Sequence, residues 1–265
     1  MTRTHLARWS RILPLFAALL LASCASSPDL DELAEVPSAE DLYAEGSAML
    51  EDRGSFLTMD TTDYGSAIER FQDIIDNYPY SAQAVMAELR IADAYFEQER
   101  WDEALSYYGD FAELHPDHDK VAYALQRTAL CHYKQSGEPE RDQRPTREAL
   151  AALDEVMTRY PYSPEAAEAE VLWKELRTRL GHHVMGIADF YLEQEEYQSA
   201  ANRYRTVLND FPGLGLDADA LYKLGVCYTH MNRDDEAQHI FEVILENFQG
   251  SDVAEAAQEL IPAAN

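Results

Sequence analysis

Five times along the chain an alanine is followed, at a fixed distance, by an aromatic ring and a break. Ala67, Ala104, Ala149 and Ala200 each stand twelve residues before a proline: Pro79, Pro116, Pro161 and Pro212. Each proline follows a ring, Tyr78, His115, Tyr160 or Phe211, and a fifth copy has Ala237 and Phe248 with Gln249 in the proline position. Four and seven residues after each alanine the side chain is large and apolar. The pairs are Phe71 and Ile74, Tyr108 and Phe111, Leu153 and Val156, Tyr204 and Val207, and Phe241 and Ile244. Steps of four and seven place all three residues on one face of a helix. Proline stops that helix by biasing the residue before it away from the α region.

A second helix precedes each of these. Ala92, Ala188 and Gly225 stand twelve residues before the key alanine, and Tyr95, Tyr191 and Tyr228 follow three later. Small residues facing small residues let two helix axes approach closely. A larger side chain at Ala104 or Ala200 is expected to cost about 1–3 kcal/mol through overpacking. The alanine intervals are 37, 45, 51 and 37, which is the helix-turn-helix periodicity of tetratricopeptide (TPR) repeats with insertions. The expected fold is all-α: a TPR solenoid of about five helix-turn-helix units. The tetrapeptide YPYS occurs at 78–81 and again at 160–163. Its first ring can pack into the neighbouring pair. Ser81 and Ser163 can cap the next helix, and Pro164 suits a first helical position.

The irregular intervals carry information. The 51-residue interval exceeds the basic unit by about four helical turns. Residues 164–197 contain no proline after Pro164, so one helix of ~30 residues and ~45 Å is expected there. Gly181 and Gly186 weaken it without breaking it, and its extra turns should dock on the preceding repeat. The 45-residue interval holds a Gly- and Pro-containing loop with Arg141, Arg144 and Arg147. An insertion at 52–62 brings Phe56, Leu57 and Met59 into the first repeat, where they are expected to pack back on the array.

The first residues belong to a different category. Arg3, Arg8 and Arg11 precede an apolar run at 12–22, too short for a membrane span and typical of a secretory leader. The run ends in LASC, residues 21–24, which resembles a bacterial lipobox and makes Cys24 the expected lipidation site. An aspartate after the cysteine would favour the inner membrane. Ala25 stands there and points to the outer membrane, facing the periplasm. The expected organisation is a leader at 1–23, a lipid-anchored tether at 24–40 and repeats one and two at 41–120. Repeat three with its loop follows at 121–162, and the long helix with repeats four and five at 163–262.

Loss of Arg3, Arg8 and Arg11 takes the net charge from −28 to −31. Such a chain repels phosphate backbones, so nucleic acid is not an expected partner, and a basic protein surface is a better one. Cys131 and Cys227 fall in separate helical stretches and are expected as buried small side chains instead of a disulfide. No Gly-rich phosphate loop, nucleophile elbow, CxxC pair or HExxH is present. His115 and His118 in HPDH, with His182 and His183, come nearest to a metal cluster, and no metal or cofactor is expected. The chain reads as a non-enzyme with a concave surface for holding polypeptides. In the second repeat that surface can include Leu89, Asp93 and Phe96.

Residues 140–212 resemble the BamD family, the TPR lipoproteins of the β-barrel assembly machinery (BAM) of the outer membrane. The likeness lies in the RDQ loop, the YPYS break, the long fourth-repeat helix, Phe190–Tyr191 and the AANR run ending at Arg203. It extends more weakly over 40–248. The resemblance implies an acylated Cys24 in the inner leaflet of the outer membrane and a grip by the C-terminal repeats on the POTRA region of BamA. It also implies association with other BAM lipoproteins and receipt of unfolded outer-membrane proteins by the N-terminal repeats. Arg203 matches a family arginine that faces BamA, with Asn202, Arg141 and Asp142 as companions. One residue before the packing side chain Tyr204, Arg203 is expected to point outward. The alternative class is another periplasmic TPR lipoprotein, a secretin pilotin or a coordinator of division or wall synthesis. The chain departs from the family pattern in its first-repeat insertion and in the missing fifth proline. The tail after Ser251 is short, so a long C-terminal contact arm is not expected.

Overall fold

A computed structural model describes residues 36–52, 55–56, 59–60 and 62–261, with side chains omitted at 55–56 and 59–60. The leader, Cys24 and most of the tether lie outside the described residues, as do the side chains of Phe56, Leu57 and Met59. Eleven helices run through the described residues. The first repeat pairs α1 (Ala39–Glu51) with α2 (Tyr64–Asn77), the second α3 (Ala82–Glu97) with α4 (Trp101–Leu114), and the third α5 (Val121–Gln135) with α6 (Arg144–Arg159). The fourth pairs α7 (Pro164–Glu193) with α8 (Tyr197–Asp210), and the fifth α9 (Asp217–His230) with α10 (Asp234–Asn247). A final helix, α11 (Asp252–Leu260), packs on α10 and α9 where only a short tail was expected. The insertion in the first repeat contains a minimal antiparallel hairpin, β1 (Ser55–Phe56) with β2 (Met59–Asp60), in which Phe56 opposes Met59.

Each helix packs on its sequence neighbours, and first helices also touch across repeats: α1 with α3, α5 with α7. The five periodic alanines are buried at their helix interfaces together with the residues four and seven places on. The breaks are local backbone devices. Tyr78, His115, Tyr160, Phe211 and Phe248 cap the five second helices with nearly one conformation, φ between −123° and −131° and ψ between 38° and 53°. Phe248 reaches it without a following proline, helped by Gly250 at φ 75°. Ser81 and Ser163 accept from the backbone N–H groups of Ala84 and Ala166 at 3.0 and 3.1 Å, the N-caps expected of the YPYS motif.

First helices of repeats two, four and five end in a common motif. The N–H groups of Arg100, Glu196 and Arg233 donate to the carbonyls of Tyr95, Tyr191 and Tyr228 at 2.9–3.0 Å. This is the six-to-one bond of a Schellman motif. It requires a left-handed residue at the turn: Glu99 at φ 59°, Glu195 at φ 61° and Asn232 at φ 56°.

The long helix is continuous over 30 residues. A β-carbon at Gly181 would meet Leu216 Cδ1 at 2.6 Å, so this glycine permits the chain entering α9 to cross close by. Leu176 and Leu180 join the central hydrophobic core with α3 to α6, while Met185 and Ala188 join the C-terminal core with α8 to α11. The extra turns therefore dock on the preceding repeat, as expected.

The contacts also reveal a module larger than one repeat. Tyr108 donates to Asp93 Oδ1 at 2.6 Å, and Tyr204 donates to Asp189 Oδ1 at 2.6 Å. Both pairs are related by 96 residues, as are the cations that approach the two aspartates, Arg127 and Lys223. Repeats one and three each carry an insertion between their helices, and each ends in YPYS. The array is thus a two-repeat unit used twice and closed by a fifth repeat and α11.

Candidate partner-binding surfaces

Arg203 lies on α8 with its side chain exposed, and it makes no hydrogen bond or ion pair among the described residues. Its neighbour Tyr204 is fully buried, so the 100° step between successive residues separates packing from display. Asn202 is also exposed. Its Oδ1 accepts from Arg205 Nη2 at 2.5 Å and from Gln198 Nε2 at 3.2 Å.

The loop at 136–143 is held firmly against α7. Arg179 Nη1 donates to Ser136 Oγ at 2.7 Å, and His183 Nδ1 contacts the Pro139 carbonyl. Gln143, 2% exposed, donates from Nε2 to the carbonyls of Glu138 and Arg141 at 2.8 and 3.1 Å and accepts from Thr146 Oγ1 at 2.9 Å. Asp142 Oδ1 accepts from the Arg144 N–H at 3.0 Å beside the start of α6. The three letters RDQ thus divide their tasks. Gln143 pins the loop, Asp142 accepts the first N–H of α6, and Arg141 is left exposed. Gln143 escaped the sequence reading because a glutamine beside two arginines looks solvated. No hydrogen bond or ion pair joins Arg141 or Asp142 to Asn202 or Arg203 among the described residues.

Two clefts occupy equivalent places in the two modules. The first, of about 420 Å³, is polar and is lined by Arg90, Asp93, Glu97, Tyr123 and Arg127 with the end of α1. Arg127 lies over the Phe96 ring at 3.6 Å, pairs with Glu97 at 3.5 Å and donates from Nε to Tyr108 Oη at 3.1 Å. Asp93 accepts from Tyr108 and from Tyr123, the latter at 2.7 Å. Burial, reinforced by the Asp93 charge, pushes both tyrosine hydroxyls far above their ordinary range. Burial works against the charge of Arg127, but the surrounding tyrosines and Asp93 outweigh it and raise its pKa. Among the described residues Arg90 Nε is buried without a hydrogen-bond partner.

Of the residues expected in this groove, Asp93 lines it and Phe96 forms the platform for Arg127. Leu89 does not line it: 2% exposed, it packs in the central core beneath α4 and α5. The second cleft, of about 430 Å³, is apolar and lies between the 136–143 loop and α7, lined by Pro139, His182, His183, Gly186, Ile187 and Phe190. Gly186 occupies the place that Arg90 holds in the first module, and Phe190, 58% exposed, the place of Ala94.

The histidines of HPDH serve local packing. His115 Nε2 lies 2.9 Å from Glu88 Oε2, and the two imidazoles meet the Phe111 ring, His115 tilted and His118 edge-on. Among the described residues no group of three or more His, Cys, Asp or Glu is placed to hold a metal ion. Cys131 and Cys227 are free and buried. No described helix is long and apolar enough to cross a membrane.

Known proteins are similar to this chain in sequence. A family model described as "YfiO: Outer membrane lipoprotein" matches residues 39–242. An outer membrane protein assembly factor BamD of Neisseria meningitidis serogroup B is 26% identical over 253 residues, covering 91% of this chain and 91% of the relative. The protein of that name from Vibrio cholerae is 29% identical over 229 residues, covering 80% and 90%. That of Caulobacter vibrioides is 27% identical over 240 residues, covering 90% and 76%. Five helical repeats, the pinned loop, the 30-residue helix and a family match across most of its length lead to one conclusion: the chain belongs to the YfiO family of outer membrane lipoproteins, the family of BamD.

Proposed function

We propose that this chain is a non-enzymatic subunit of the outer-membrane β-barrel assembly machinery, held at the periplasmic face of the outer membrane through a lipid on Cys24. In this reading the half at 163–262 scaffolds the POTRA region of BamA, and the half at 41–120 receives unfolded outer-membrane proteins. The observation that carries it is the exposed, unpaired guanidinium of Arg203 on a chain matched along nearly its whole length by proteins named BamD. A free arginine fork on a rigid helix suits bidentate pairing with a partner carboxylate. Asn202 on the same half, and Arg141 and Asp142 on the loop packed against α7, supply further polar contacts. The polar cleft around Arg90, Asp93 and Arg127 offers backbone-binding groups for an extended client.

The test is affinity for the purified BamA POTRA region, with Arg203→Glu as the site variant. Wild type should bind. The variant should bind at least tenfold more weakly with unchanged helical circular dichroism. No measurable POTRA affinity, together with normal barrel-protein levels after depletion of the chain, removes the proposal. An unaltered affinity in the variant removes the Arg203 assignment alone.

A further inference from the structure

In antiparallel helix pairs the N-termini of the first helices and the C-termini of the second helices share one edge of the array. The chain enters there, because Tyr78 Oη donates to the Pro37 carbonyl at 2.7 Å. Four apolar side chains among the described residues stand free on this edge: Val36, 81% exposed, Leu114 at the C-terminus of α4, 67% exposed, and the second rings of the two YPYS motifs, Tyr80 and Tyr162, each about fully exposed. Beside Tyr80 the first turns of α1 and α3 form an open, largely apolar cleft of about 290 Å³, lined by Tyr43, Ala82 and Met86 together with the polar Glu40 and Gln83. The matching turn positions of the other repeats are Asp117, Gly213 and Gly250. The exposed rings are thus placed in the two YPYS turns, and neither packs on anything among the described residues.

We propose that this edge rests on a membrane surface, with the rings of Tyr80 and Tyr162 in the lipid interface and Val36 and the apolar cleft beside them. The inference rests on the lipid-anchor reading of Cys24. Thirteen residues lie between Cys24 and the cap Ser38. Fully extended, a segment of that length reaches at most about 50 Å. The anchor therefore delivers this edge, before any other, to the bilayer, at high effective concentration. Tyrosine combines an apolar ring with a polar tip and suits the boundary between acyl chains and headgroups. The net charge of −31 left after loss of Arg3, Arg8 and Arg11 directs the edge to zwitterionic lipid and away from anionic lipid.

The experiment uses the full lipidated chain in vesicles of phosphatidylethanolamine and phosphatidylcholine. An environment-sensitive fluorophore is attached at Tyr80→Cys, Tyr162→Cys or Glu193→Cys. Cys131 and Cys227 are buried and remain unlabelled, and Glu193 marks the far end of α7, about 45 Å from its start. Labels at 80 and 162 should shift to the blue and be quenched severalfold more by nitroxide lipids than the label at 193. Equal accessibility of all three to aqueous iodide overturns the proposal, and so does protection that arises only when a partner protein is added. Mass spectrometry of Cys24 decides the anchor separately. An acylated chain with iodide-accessible rings refutes the edge alone. An unacylated chain whose rings are still quenched by vesicles retains the edge and refutes the anchor. An unacylated chain with accessible rings removes both.

Discussion

Gly225 lies directly beneath the ring of Phe241: a β-carbon on the glycine would sit 2.5 Å from Phe241 Cε1. The same contact recurs in the first repeat, where a β-carbon at Gly46 would meet Phe71 Cζ at 2.9 Å. Both rings are buried and have no room to retreat. Gly225→Ala is therefore expected to destabilise by about 1–3 kcal/mol despite the better helix propensity of alanine. Gly186, also inside a helix, has nothing within 4 Å of its missing β-carbon, so Gly186→Ala should stabilise by up to about 1 kcal/mol. Urea midpoints of the two variants should move in opposite directions.

Glu195 holds φ 61° at the Schellman turn between α7 and α8. A side chain with a β-carbon is strained there by about 1–2 kcal/mol, and glycine is not. Glu195→Gly is expected to raise stability by about 1 kcal/mol, read as a higher thermal midpoint with unchanged helicity.

Alkaline pH should weaken the fold. Burial pushes the thiol of Cys131 up to about 12 and that of Cys227 up to about 11, from an ordinary 9.0. Burial also raises the hydroxyls of Tyr108, Tyr123 and Tyr204 above the ordinary 10.0. The folded chain keeps these protons while the unfolded chain releases them, so the stabilisation is complete below pH 9 and declines as pH climbs beyond it. Urea midpoints at pH 8 and pH 10.5 test the slope. The double variant Cys131→Ala, Cys227→Ala should lose the part of it that begins near pH 9.

Adjacent residues on α8 should behave oppositely. Tyr204 is fully buried and bonded to Asp189 at 2.6 Å, so Tyr204→Ala is expected to cost about 3–5 kcal/mol. Arg203 is exposed, and unpaired among the described residues, and Arg203→Ala should stay within about 0.5 kcal/mol of wild type. Thermal denaturation of the isolated chain separates them without any partner present.

Much of this architecture was legible because it is local. An alanine with large apolar residues at four and seven, then a ring and a proline, defines a helix and its end through backbone sterics alone. The structure reproduces that end at four proline breaks and again at Phe248, where Gln249 stands in place of the proline. The long helix was visible as an interval lengthened by whole turns. What escaped depended on contacts across the array or on a displaced frame. The first-repeat insertion pushed Gly46 off the twelve-residue spacing, hiding its match to Gly225. Leu89 faces inward because α4 and α5 close over it, which the polarity of its own helix does not reveal. The final helix α11 follows Ser251, whose hydroxyl accepts from the Ala254 N–H at 3.2 Å. That capping signal was readable but overshadowed by the end of the repeat pattern. The 96-residue kinship of the aspartate–tyrosine pairs needed the hydrogen bonds themselves, since the cation is Arg127 in one and Lys223 in the other.

The unbroken helix α7 belongs to two hydrophobic interiors at once, the central one through Leu176 and Leu180 and the C-terminal one through Met185 and Ala188. A solenoid of equal units would unzip stepwise from its ends, each unit answering only to its neighbour. Here the helix acts as a splint across the joint. Loosening on one side withdraws support from the other, and a tug at the last repeat is carried past the mid-point of the array as a stiff lever carries load.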